Sequence, residues 1–153
     1  MSETYWRDMV HVMSETLSIG MVYSDMTVPG IPLCYINEGF RNVTGYGKEK
    51  IGCNARFLQG PATEPYLNDE IMASLQQSEP MFLKLHNHKA NGQKFQCLLS
   101  LFPVFGPAPD NVYQYMIGMQ IDFTNSDPDL PRKIAEMGRV LRFLPSTGIK
   151  LTF

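Results

Sequence analysis

Asn54-Ala55-Arg56-Phe57-Leu58-Gln59-Gly60 places two amides and a guanidinium around a pair of large apolar side chains within seven residues. Taken singly, each has an ordinary explanation: an arginine is usually a surface charge, and an amide is usually solvated or bonded to a local turn. The meaning of the stretch depends on what the chain builds around it. Downstream, Pro65–Gln77 can carry one longer helix, and from Met81 the pattern changes to strands. These run over 81–89, 94–104 and 113–124, with a turn at Asn91-Gly92 and a loop through Gly106-Pro107-Ala108-Pro109. Upstream, residues 20–23 and 33–36 read as short strands, with Pro29-Gly30 and Pro32 marking the turn between them. Asn37-Glu38-Gly39-Phe40 leads into a short helix, and Thr44-Gly45-Tyr46-Gly47 punctuates the small helices that follow.

Two strands, several short helices and three strands make an α+β order, in which the helices must lie against one face of the sheet. Alternation assigns the faces. In the first long strand Leu83, Leu85 and Asn87 share one side, while Lys84, His86 and His88 share the other and read as exposed surface residues, not metal ligands. In the last strand Gln114, Met116, Gly118 and Gln120 share one side. The opposite side is Tyr115, Ile117, Met119, Ile121 and Phe123, too apolar to be left in water. Two covers are available. One is a pair of terminal amphipathic helices: Trp6, Met9, Val10, Met13 and Leu17 recur at helical spacing behind a Ser2 cap, and Pro131 opens a helix with Ile134, Met137, Leu141 and Leu144 on one stripe. The other is a second copy, so a homodimer through the outer sheet face or the flanking helices is expected, or a monomer capped by its own helices.

Composition narrows the function. At 153 residues the chain fits one domain. Its net charge of −2, with Lys and Arg scattered, offers no basic stripe for nucleic acid. No apolar run approaches the ~20 residues that span a bilayer, and Glu3 and Asp8 stand where a signal peptide would be apolar, so no membrane and a cytoplasmic setting are expected. Cys34, Cys53 and Cys97 are odd in number and lack metal spacing. No base is paired with a cysteine at a recognisable spacing and no phosphate-cradling glycine loop is present, so an enzyme is not expected.

The opening stretch resembles the flavin-binding helix of the light-oxygen-voltage (LOV) branch of the PAS family, Asn-Cys-Arg-Phe-Leu-Gln-Gly. The resemblance covers about residues 19–124 and also rests on Asn37-Glu38-Gly39-Phe40, Thr44-Gly45-Tyr46, Asn91-Gly92 and Gly118-Met119-Gln120-Ile121-Asp122. It implies a PAS fold: a five-stranded antiparallel sheet with short helices on one face. The core would span 19–124, between an N-terminal flanking helix in 1–18 and a C-terminal helix and tail in 125–153.

The resemblance also implies a flavin, FMN first, and a set of residues to hold it. An isoalloxazine ring needs aliphatic walls and amides that both give and accept. Asn54, Gln59, Asn87 and Gln120 supply the amides, Leu58 and Leu99 the walls, and Arg56 a guanidinium for the phosphate. Three departures qualify the likeness. Ala55 stands where the family has the cysteine that light attaches to the flavin, and a methyl offers no nucleophile. Cys97 replaces an asparagine at the pyrimidine edge, and Met72 replaces a second phosphate arginine, so riboflavin or FAD competes with FMN. Cys53, two residues from Ala55, is expected to point away from the ring. The implied protein is an adduct-deficient blue-light sensor, fluorescent and photoreducible to the neutral semiquinone, that signals through Gln120 to the flanking helices. Its effector domain is missing or separate. The alternative is a PAS module that binds another ligand or dimerises without flavin photochemistry.

Overall fold

A computed structural model describes residues 5–145. The elements are α1 (Tyr5–Ser14), β1 (Gly20–Asp25), β2 (Leu33–Ile36), α2 (Glu38–Thr44), 3-10 turns at Lys48–Lys50 and Ala55–Leu58, α3 (Pro65–Gln77), β3 (Met81–His88), β4 (Lys94–Phe105), β5 (Tyr113–Asp122) and α4 (Leu130–Phe143). The strands form one sheet in the order β2-β1-β5-β4-β3, with antiparallel neighbours throughout. The PAS architecture expected from the sequence is therefore present. First and last strands lie side by side at the centre, with Gly20 opposite Gln120 and Leu99 on the other side of Gln120.

The joint between sheet and helices is Asn37, 2% exposed. Its Oδ1 accepts from the Met21 N–H (2.8 Å) and, as the α2 cap, from the Phe40 N–H (2.9 Å). Its Nδ2 donates to the carbonyls of Ser14 (2.9 Å) and Ile19 (3.1 Å). One amide thus ties α1, β1 and α2 together. Two residues on, a Cβ at Gly39 would lie 2.0 Å from the Ile19 carbonyl oxygen, so only glycine lets α2 cross this close to the chain.

Each edge strand is met at one point by a return of the chain, which shortens the edge open to unwanted strand pairing. On β2, the Leu33 N–H donates to the Cys53 carbonyl and the Gly52 N–H to the Leu33 carbonyl, each at 2.8 Å. On β3, the His86 N–H donates to Glu64 Oε2 (3.0 Å) and the Thr63 hydroxyl to the His86 carbonyl (2.7 Å). This corrects the reading of the two histidines as simply exposed. The His86 ring pairs with the Glu64 carboxylate and holds it below the usual carboxylate range, while His88 is packed so closely against Gly60 that a Cβ there would meet its ring at 2.6 Å. A loop distant in sequence covers an edge that alternation alone leaves bare.

The outer face is covered by the chain's own helices. Val10 of α1 and Met137, Val140 and Leu144 near α4 pack on Tyr23, Ile117, Met119 and Ile121, all buried. That part of the face is closed to a second copy, which corrects the outer-face route to a homodimer. The α4 stripe is also shifted: Ile134 is 47% exposed, and Leu130 and Val140 join Met137, Leu141 and Leu144 against the sheet. Ser2 lies outside the described residues. Among the described residues no helix is long and apolar enough to cross a membrane.

Candidate functional site

The inner face is not close-packed. Between it, the Ala55–Leu58 turn and α3 lies a cavity of about 450 Å³. The sheet contributes Val22 and Ser24 from β1, Leu85 and Asn87 from β3, Leu99 and Leu101 from β4, and Met116, Gly118 and Gln120 from β5. The opposite wall is Asn54, Ala55, Arg56, Leu58 and Gln59, with Ile71, Met72 and Leu75 of α3 at the side. Period-2 alternation on four strands aims these sheet residues into one space. Gly118 keeps the floor low, because even a methyl there would sit 3.3 Å from Val22.

The opening stretch holds itself in place. Asn54 caps the turn, its Oδ1 accepting from the Arg56 N–H (3.0 Å), and its Nδ2 donates to the Gly30 carbonyl (2.8 Å). Much of its hydrogen-bonding capacity therefore serves the fold. The Arg56 Nε donates to the same oxygen at 3.3 Å, and among the described residues the guanidinium has no carboxylate partner. Its outer N–H groups are left to meet an anion at the mouth. Gln59 Nε2 donates to Asn68 Oδ1 at 2.6 Å, linking the turn to α3.

Two amides are set deep. Asn87 is 3% exposed, and so is Gln120, whose Oε1 is buried with no hydrogen-bond partner among the described residues. An unpaired buried carbonyl costs roughly 1–3 kcal/mol, so a ligand that donates to it recovers that energy. Apolar walls, deep amides and a cation at the mouth suit a flat heteroaromatic ligand with an alternating polar edge and an anionic tail.

Of the nine residues singled out in the sequence, Asn54, Ala55, Arg56, Leu58, Gln59, Asn87, Leu99 and Gln120 line this cavity. Cys97 does not. It is fully buried opposite Leu85, with its thiol against the Asn87 amide, and burial pushes that thiol up to about 12, with the Asn87 bond opposing. The resemblance put it at the pyrimidine edge; here its thiol lies against Asn87, and Asn87 is the residue that lines the cavity. Cys53 is exposed and outside the lining, as expected. Met72 lines the mouth and is 45% exposed. Sequence reasoning missed Asn68 and Asp69 there, although both lie on the helix that it placed. It also did not name Leu85, Met116 and Gly118 as lining, although the alternation had already turned all three inward.

Known proteins share the family and the fold. The PAS domain family matches residues 20–125. A blue-light-activated histidine kinase of Rhizobium johnstonii is 35% identical over 119 residues, 77% of this chain and 34% of that protein. A blue-light photoreceptor of Listeria innocua is 33% identical over 108 residues, 70% of this chain and 42% of that protein. The chain thus spans well under half the length of these relatives. Among solved structures, the LOV domain of the Erythrobacter litoralis EL346 blue-light activated histidine kinase superimposes with a TM-score of 0.63 at 28% identity, covering 71% of this chain and 99% of that one. The Rhodobacter sphaeroides LOV protein, at 23% identity, shares the fold with a TM-score of 0.79 over 95% of this chain and 85% of its own. With most of its length matched, the chain belongs to the PAS-domain family, and its likeness there is to the light-oxygen-voltage type.

Proposed function

We propose that the cavity binds a flavin and that the chain is a blue-light sensory domain in which no cysteinyl adduct forms. The observation that carries this reading is Gln120, buried in the floor of the cavity with its Oε1 unpartnered among the described residues. A bound flavin supplies blue-light absorption, fluorescence and one-electron photoreduction by an outside donor. The chain does the rest. Asn87 and Gln120 hold the polar edge, Leu58 and Leu99 bracket the ring, and Arg56 takes the phosphate. Cys97 acts indirectly, by fixing the Asn87 amide from behind. Ala55 presents a methyl where an adduct would need a thiol.

Flavin choice follows from the mouth. Arg56 is the cation there, Met72 adds none, and Asp69 contributes a carboxylate that weakens the pull on a phosphate. FMN is the first ligand, with riboflavin or FAD as competitors.

Gln120 is also the residue that carries a signal in this reading. Its amide could present either an N–H or a carbonyl oxygen to a flavin held here, and so could answer an acceptor or a donor on the ring by rotating. Its strand neighbours Met119 and Ile121 point the other way, against α1 and α4. A rotation of Gln120 therefore shifts β5 beneath both helices. A second copy, and an effector carried elsewhere, would meet the helices on their outer sides, where Val12, Ile134 and Phe143 are exposed. Light-induced change in amide exchange of α1 and α4, compared between the FMN-loaded chain and Gln120→Leu, tests the route. Loss of the response in the variant supports it; an unchanged response sinks it.

A further inference from the structure

α1 is docked less by aliphatic packing than by rings. His11 lies flat on Tyr35, with centroids 4.0 Å apart and planes 4° from parallel, and tilts against Tyr23 at 5.3 Å. Trp6 closes the cluster against Tyr23 (6.0 Å) and Tyr115 (6.2 Å). Polar contacts rim it: Arg7 donates to the Tyr115 hydroxyl (2.8 Å), the Tyr35 hydroxyl donates to Glu15 (2.9 Å), and Ser14 shares a bond of 2.6 Å with that same hydroxyl. Inside, two polar atoms are buried without a partner among the described residues, His11 Nε2 and the Tyr23 hydroxyl.

That arrangement tolerates a neutral imidazole and opposes a charged one. An imidazolium carries two N–H donors, and the one at Nε2 would be buried with no acceptor among the described residues. We propose that His11 is an acid-sensitive pin: protonating it releases α1 from the sheet. The inference does not depend on the flavin reading, since it concerns the opposite face. It acts on one of the two helices to which that reading assigns the output, so acid and light would bear on the same element.

The neighbouring charges are few. On α1 and just beyond it, Arg7 opposes the proton while Asp8 and Glu15 favour it. β1, β2 and β5 turn the phenols of Tyr23, Tyr35 and Tyr115 toward the cluster, and α4 brings Met137 and Val140. Burial first, and Arg7 second, hold the ring below its ordinary value of 6.5. The sign follows. Docking is at full strength above that ordinary value and weakens as pH falls through it toward the lower value of the docked ring, where the released helix takes up the proton more readily.

Trp6 is the chain's one tryptophan and sits in this cluster, so its emission reports docking. Between about pH 7.5 and about pH 5.5, the range of histidine titration, the wild-type emission should move to the red. Amide exchange in α1, corrected for its intrinsic pH dependence, should speed up several-fold while β4 and β5 stay protected. His11→Phe keeps a ring on Tyr35 and cannot titrate, so the step should vanish; His86→Gln and His88→Gln should leave it in place. A step that persists in His11→Phe, or a flat wild-type profile, overturns the proposal. Should the variant dock poorly at every pH, an NMR titration of the wild-type His11 ring decides. A midpoint below 6.5 coinciding with α1 release supports the pin, and a ring that titrates with α1 still docked overturns it.

Discussion

Along β5 consecutive residues serve opposite ends. Ile117, Met119 and Ile121 are 0–1% exposed and pack in one buried cluster with residues of α1 and α4. Met116, Gly118 and Gln120 look across about 450 Å³ of unfilled cavity, and Gln120 leaves a buried carbonyl oxygen unpaired. A protein under selection for stability alone would fill that space and pair that oxygen. In the flavin reading proposed above, the inner face forgoes packing to receive a ligand while the outer face is packed for stability.

Substitutions separate the two faces. The largest effect is expected where both are tied together. Asn37→Ala removes four buried hydrogen bonds joining α1, β1 and α2, and should lower unfolding free energy by about 4 kcal/mol in urea melts. Next is the outer face: Met119→Ala should cost about 3 kcal/mol and cost the same with or without FMN, because the lost contacts are with the helices. On the inner face Leu99→Ala should cost less without ligand, about 2 kcal/mol, since it borders existing space, and should weaken FMN binding as Met119→Ala does not. Equal penalties for these two would erase the distinction between the faces. The smallest effect belongs to Gln120→Leu, which removes an orphaned carbonyl and should leave the ligand-free chain within about 0.5 kcal/mol of wild type or slightly more stable. A loss of several kcal/mol there would mean that Gln120 is structural.

Much of this was legible in the sequence, because the information was local. Alternation in β3 and β5 placed Asn87, Met116, Gly118 and Gln120 on the inner face, and Pro65 fixed the start of α3. The apolar run from Tyr115 to Ile121 announced a covered face, but whether the cover was a second copy or the chain's own helices required α1 and α4 in place. What failed was non-local. The resemblance set Cys97 at the ligand edge, whereas in the fold its thiol is taken up by Asn87, a contact between β4 and β3 that neither strand shows alone. His86 and His88 looked free because nothing near them in sequence says that residues 60–64 return along the β3 edge. Ile134 sits on the predicted stripe, yet the helix is rotated so that Val140 takes the buried position. Asn37 was recognised as part of a motif, while its four bonds became visible only when Ser14, Ile19, Met21 and Phe40 were brought around it.

The central claim is that the inner face holds a flavin and that Ala55 denies it a cysteinyl adduct. The absorption spectrum of the purified chain, loaded with FMN where needed and recorded before and after blue illumination, tests both parts at once. The account predicts a yellow, green-fluorescent protein that shows no reversible bleaching, and reversible bleaching once Ala55→Cys restores a thiol at the turn. A colourless chain that takes up no FMN, or reversible adduct-type bleaching with Ala55 in place, would contradict it.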